Sequence, residues 1–166
     1  AQTLGKPNDQ KLYESKNEQL RTLIHKTFYD SKEASYGTGT QIDLVYPMLA
    51  GVTPESQLSN LLNTLYKNTA ERFRSHLATG LVGIPIITEW CIKNQQVNFM
   101  YQMLKKRDYP SYSYMIDNGA TTTWEHWNGE RSHIHNCYNG IGTWFYQALA
   151  GIMPDEAHPG YKHVRI

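Results

Sequence analysis

Residues 36–51 read YGTGTQIDLVYPMLAG and residues 78–94 read ATGLVGIPIITEWCIKN. Each is a glycine-bearing loop that runs into a helix apolar on almost every side, predicted over 41–50 in the first and 86–93 in the second. A helix apolar all round has no face to give to water and must be buried between neighbours. Each is followed by a helix of the other kind. After Gly51, Thr53-Pro54-Glu55 offers an N-cap, a proline at the first helical position and an acid in the first turn. Leu58, Leu61, Leu62, Leu65, Tyr66, Thr69 and Phe73 continue it at helical spacing. The second round ends in a companion helix over 96–106. Two rounds of loop, buried helix and covering helix predict a layered all-α fold.

Outward from this centre, Leu12, Leu20, Leu23, Ile24 and Phe28 stand among Lys, Glu, Gln and Asn and predict an amphipathic helix over 7–28. Residues 29–41, with Gly37 and Gly39, read as a loop. Towards the C-terminus Tyr112, Tyr114 and Ile116 alternate, so 111–117 is expected to be extended. A last helix is predicted over 137–150, burying Tyr138, Ile141, Trp144, Phe145, Ala148 and Leu149 and stopping at Gly151. Residues 158–166 read as the start of a strand with nothing here to pair with. Residues 1–5 read as the glycine-terminated tail of a helix whose body is absent. The expectation is a piece of a larger domain, with 1–157 helical and 158–166 leading into a β domain.

Sixteen basic side chains stand against fifteen acidic ones, and the longest cationic run is Lys105-Lys106-Arg107. A phosphate-binding surface needs clustered excess Lys and Arg, so no nucleic-acid partner is expected. No apolar run approaches membrane-spanning length and the first ten residues lack the basic-then-apolar pattern of a signal peptide, so no membrane association is expected either. Cys91 and Cys137 lie far apart with no CxxC or His/Cys spacing, which predicts two reduced thiols and neither a disulfide framework nor a zinc site. Apolar residues make up 40% of the 166, enough for one core of its own.

The chemistry concentrates after Tyr109-Pro110. Residues 109–146 hold five of the twelve tyrosines and three of the four tryptophans, around the stretch TTTWEHWNG at 121–129. There one carboxylate, Glu125, is flanked by Trp124 and Trp127. Apolar ring faces stack on the C–H faces of a pyranose, while the acid accepts hydroxyl protons or activates water. The competing reading is an exposed glutamate beside two core tryptophans. His133 and His135 form an HxH with no obvious further ligand, so no metal is expected. The loop at 36–41 lacks the Lys and Ser/Thr spacing of a P-loop, and no Gly-x-Ser-x-Gly occurs, so phosphate binding and covalent serine chemistry have no support.

Five strings, YGTGTQ (36–41), HLATGLVGIP (76–85), YPSYSYMIDNGATTTWEHWNG (109–129), SHIHNCYNGIGTWFYQALAGIMPD (132–155) and PGYKHVRI (159–166), resemble, in order, the C-terminal half of the catalytic domain of bacterial α-L-rhamnosidases of glycoside hydrolase family 78. The resemblance implies an (α/α)6 barrel of six inner and six outer helices, of which this chain supplies about half. It implies removal of terminal α-L-rhamnose with inversion, no cofactor, and a rhamnose-containing glycoside or polysaccharide as the partner. Glu125, in the family's TT-x-W-E-x-W motif, takes the role of general base. His135 falls on the sugar-contacting histidine, and Trp127 belongs with it to the substrate-binding set. Two departures stand out: nine residues separate Glu125 from His135, and the chain has Ile134-His135 where the family often reads Asn-His. Nothing in residues 1–35 matches the acidic cluster of the general acid, so that acid is expected outside this chain. The half-barrel is expected to expose apolar surface on helices 41–50 and 86–93, and to associate with the missing half or with itself. A bacterial periplasmic or secreted location is favoured over the cytoplasm. The rivals are another (α/α)6 carbohydrate-active enzyme and a non-catalytic helical sugar-binding or scaffold module.

Overall fold

Proline at the first position of a helix gives up an N–H that would be unsatisfied anyway, and α1 (Pro7–Phe28) opens on Pro7 after a single tight turn closed by Gly5. The structure, a computed structural model, describes residues 1–155, 157, 158, 160 and 162–166. The Cys137 side chain, and with it the expectation for its thiol, lies outside the described residues, as do Pro159 and Tyr161 of the PGYKHVRI stretch. α1 spans the predicted range, yet none of its residues is buried. It is tied down by polar contacts: Arg21 Nε donates to the Ala50 carbonyl at 3.2 Å, and His25 Nδ1 lies 2.6 Å from the Tyr36 hydroxyl. The predicted loop that follows is a short hairpin, β1 (Tyr29–Asp30) antiparallel to β2 (Ser35–Tyr36).

α2 (Gln41–Leu49) starts at Thr40, whose hydroxyl accepts the Asp43 N–H while Asp43 bonds back to the Thr40 amide. Asp43 Oδ2 also accepts from the Thr38 amide and hydroxyl, which fixes the YGTGTQ loop on the helix end. Partial burial alone would raise the Asp43 pKa. The hydroxyls and amides of Thr40 and Thr38 outweigh it and hold the carboxyl below its ordinary value.

α3 (Glu55–Glu71) begins later than the sequence suggests. Pro54 is extended at ψ 145° and sits at the N-cap, so Thr53 does not cap the helix. α4 (Gly83–Lys93) and α5 (Val97–Leu104) complete the second round. α2 packs on α4, α3 covers α2 and α5 covers α4. Their seam is the core: Leu44, Val45, Leu61, Leu65, Ile84, Ile87 and Met100 are fully buried, each worth about 1.5–3 kcal/mol. The fold is all-α in buried and covering pairs, the arrangement of part of an (α/α)6 barrel.

Three expectations give way. Residues 111–117 are not extended: α6 (Tyr112–Asp117) is a helix, because the Ser111 hydroxyl caps the Tyr114 amide at 2.9 Å and Met115 turns into the core. The last helical segment changes pitch, from a 3₁₀ stretch (Asn136–Ile141) through α7 (Gly142–Trp144) to a π turn (Phe145–Leu149). The wide turn shifts the phase of the side chains, so Tyr138, Ile141 and Trp144 are buried as predicted but Phe145 and Leu149 are exposed. The C-terminal strand does have a partner: β4 (Val164–Arg165) pairs antiparallel with β3 (Met153–Pro154). Exposed apolar residues also fall elsewhere than expected. Of α2 and α4 only Tyr46 is a large exposed one, whereas α1 carries Leu12, Leu20, Leu23, Ile24 and Phe28. Among the described residues no helix is long and apolar enough to cross a membrane.

Candidate active site

Residues 120–135, between α6 and the last helical segment, fold as an irregular hairpin. The Glu125 amide donates to Ser132 O at 2.8 Å and the His135 amide to Thr123 O at 3.0 Å. The Thr122 and Thr123 hydroxyls return the pairing by donating to the carbonyls of His133 and His135. The tip closes with the Gly129 amide on His126 O. Gly129 is required there: its φ is +78°, and a Cβ would stand 2.9 Å from Trp124 Cζ3.

Trp124 is buried under this hairpin and stacks on His133, with ring centroids 4.9 Å apart. His133 Nε2 donates to Gly129 O at 2.7 Å. The first indole and the first histidine of the sequence pattern thus hold the loop's shape. Trp127 takes another direction. Its Nε1 donates to Thr79 O at 3.3 Å, its ring lies tilted by 30° against Tyr138 at 4.1 Å, and Tyr112 meets it edge-on at 5.1 Å.

Glu125 is half-buried. Its Oε2 accepts the Ser132 amide at 3.3 Å, and its Oε1 lies 3.6 Å from Arg131 Nη1 and 3.9 Å from His126 Nε2. The Ser132 N–H holds the Glu125 carboxyl below its ordinary value; partial burial opposes this, and the electrostatic influence of His135, Arg131 and His126 adds to it. At neutral pH this group is a carboxylate, able to accept a proton and unable to donate one. Asp117, the nearest acid before it in sequence, is engaged by Arg107 on the surface.

Beside the hairpin opens a cleft of about 650 Å³, a size suited to a small ligand. His135 lines it together with Tyr112, Thr123, Ile134, Asn136 and Asn139, whereas Glu125 and Trp127 are not among its lining residues. The structure thus places His135 in the cleft, within electrostatic reach of Glu125, and sets Trp127 against Tyr112, which belongs to the cleft lining. Sequence reasoning missed Tyr112, Thr123 and Asn139. The three-threonine run before Trp124 signals Thr123 alone; nothing in the pattern singled out Tyr112 or Asn139 for the cleft. Among the described residues no group of three His, Cys, Asp or Glu could hold a metal.

Residues 1–149 match the family model described as the bacterial alpha-L-rhamnosidase 6 hairpin glycosidase domain. An alpha-L-rhamnosidase of Formosa agariphila is 30% identical over all of this chain, which covers 19% of that protein. One of Alteromonas sp. is 32% identical over 96% of the chain, or 18% of its own length. The chain thus spans less than a fifth of these relatives. Among solved structures, the alpha-L-rhamnosidase of Dictyoglumus thermophilum superposes with a TM-score of 0.85 at 30% identity, over 92% of this chain and 18% of that one. The alpha-L-rhamnosidase of Streptomyces avermitilis complexed with L-rhamnose superposes with a TM-score of 0.86 at 27% identity, over 99% of this chain and 16% of that one.

Proposed function

The chain belongs to the bacterial α-L-rhamnosidase six-hairpin glycosidase family, and from that premise we propose that the protein carrying it hydrolyses terminal α-L-rhamnosides with inversion, with Glu125 as the general base. The observation that carries the role is the environment of Glu125, a carboxylate that accepts the Ser132 amide and faces the Arg131 guanidinium, both of which favour its ionised form. A group so held suits the base of an inverting pair and not the acid.

In this reading a water beside Glu125 gives a proton to the carboxylate as its oxygen bonds to the anomeric carbon. The glycosidic C–O bond breaks on the opposite face, and a carboxylic acid outside these 166 residues protonates the departing oxygen. An inverting pair needs its carboxyl groups roughly 6.5–9.5 Å apart to admit the water. His135, in the cleft, hydrogen-bonds a sugar hydroxyl, and Trp127, packed against Tyr112 of the cleft lining, supplies the apolar wall beside it.

Proton NMR of the first sugar released from an aryl α-L-rhamnoside by the intact protein tests the proposal. The β anomer should appear before mutarotation, and Glu125→Gln should slow its formation about 10²–10⁴-fold. First release of the α anomer would refute inversion, and near-normal turnover in Glu125→Gln would refute the base.

A further inference from the structure

His76 is buried, and each of its polar atoms is held. Its Nδ1 lies 2.8 Å from the Pro110 carbonyl oxygen, to which it can only donate, and its Nε2 lies 3.1 Å from Asp108 Oδ2. Its own carbonyl accepts Gln41 Nε2 at 2.9 Å, and its amide donates to Phe73 O. Gln41 is fully buried, and its Oε1 accepts the Ala78 amide at 2.8 Å. Just before His76 the chain turns inward through Arg74 and Ser75, both left-handed at φ 51° and 60°. Two successive non-glycine residues in that region persist only where the surroundings fix them.

The two segments that His76 joins converge on one ring. Along the first, Thr79 O receives the Trp127 indole N–H. Along the second, Pro110 leads to Tyr112, which packs edge-on against Trp127 and donates its hydroxyl to Tyr138 O. Tyr138 in turn packs against Trp127, the two rings tilted by 30°. We infer that His76 is a positioning residue: by locking segment 76–79 to segment 108–112 it sets the plane of Trp127, the aromatic wall two residues from Glu125. What that ring contacts rests on the rhamnosidase reading; that His76 sets its plane does not.

The test uses the intact protein labelled with 5-fluorotryptophan, the Trp127 resonance being assigned by its loss in Trp127→Phe. In His76→Leu that resonance should shift or broaden while the resonance of Trp90, in the core, stays in place. On an aryl α-L-rhamnoside, KM should rise about five- to tenfold, the worth of one hydrogen bond, with kcat within twofold. His76→Asn keeps a donor near the Nδ1 position and should restore most of both. If His76→Leu fails to fold, His76→Gln, which keeps the reach to Asp108 and gives up Pro110, takes its place. An unmoved Trp127 resonance overturns the inference, as does a fall in kcat at unchanged KM, the signature of a residue that only stabilises the fold. If the unsubstituted protein turns over no rhamnoside, the proposed function falls and the resonance still decides the role of His76.

Discussion

Replacing Gly129 by alanine should loosen the hairpin that carries Glu125 without unfolding the helices around it. Two costs add. Gly129 sits at φ +78°, where a Cβ-bearing residue loses about 1–2 kcal/mol. The new methyl would also stand 2.9 Å from Trp124 Cζ3 and 3.1 Å from its Cε3. Trp124 cannot yield easily, being 6% exposed and stacked on His133, so overpacking adds about 1–3 kcal/mol. Gly129 and the ring it faces lie in the hairpin and outside the helices, so the cost falls first on local opening of residues 120–135. Even the lower bound, about 2 kcal/mol, speeds amide exchange roughly 30-fold if the opened state is unaffected. Hydrogen exchange read by mass spectrometry on peptides from 120–135, with a peptide of α3 as internal reference, measures it. Gly129→Asn separates the two costs, since asparagine tolerates the left-handed region but meets the same ring. Gly129→Ala in a Trp124→Leu background should recover the steric part alone. Exchange in 120–135 within threefold of the unsubstituted protein would refute the reasoning.

Glu125→Gln in the intact protein should lower turnover by about 10²–10⁴-fold while L-rhamnose still binds, as followed by calorimetry; equal loss of binding would point to a merely structural glutamate. Because the Glu125 carboxyl is held below its ordinary value, base activity is present above that lowered value and is lost as pH falls through it. Arg131→Gln removes one supporting cation, so the acid limb of the kcat/KM profile should move up towards ordinary glutamate, and an unmoved or lowered limb would contradict the assignment. His135→Ala should cost about 1–3 kcal/mol in kcat/KM, the worth of a hydrogen bond to a polar ligand group, and His133→Ala should act instead through loop stability. Burial pushes the Cys91 thiol up to about 12, so iodoacetamide at neutral pH should label it only after denaturation, which peptide mass mapping checks.

The central helices were legible because their signal is compositional. A run as apolar as Ile84 to Ile92 has few destinations other than a core, whatever surrounds it. The misreadings arose where a short-range bond outweighs a pattern. Tyr112, Tyr114 and Ile116 alternate as a strand would, but three alternations are a weaker constraint than one serine cap on the Tyr114 amide. The π turn after Trp144 moved Phe145 and Leu149 off the buried face, a change of pitch that a 3.6-residue projection cannot anticipate. The pairing of β3 with β4 involves two residues on each side, too few for any periodicity to show.

The site divides in the same way. A carboxylate between indoles was visible in the composition, and Glu125 and Trp127 received roles with the family resemblance, but neither shows how the two tryptophans are held. The structure separates them by where their partners come from. Ser132, His135, Arg131 and His126, which all bear on the charge of Glu125, lie within ten residues of it, so this part of its proton affinity is a property of the hairpin. Trp127 depends on Thr79, Tyr112 and Tyr138, brought together only by the packing of the helices. Substitutions in the hairpin should therefore move the pH dependence first. Substitutions in the loops around Thr79 and Tyr112, distant in sequence, should move sugar affinity and leave the acid limb where it is.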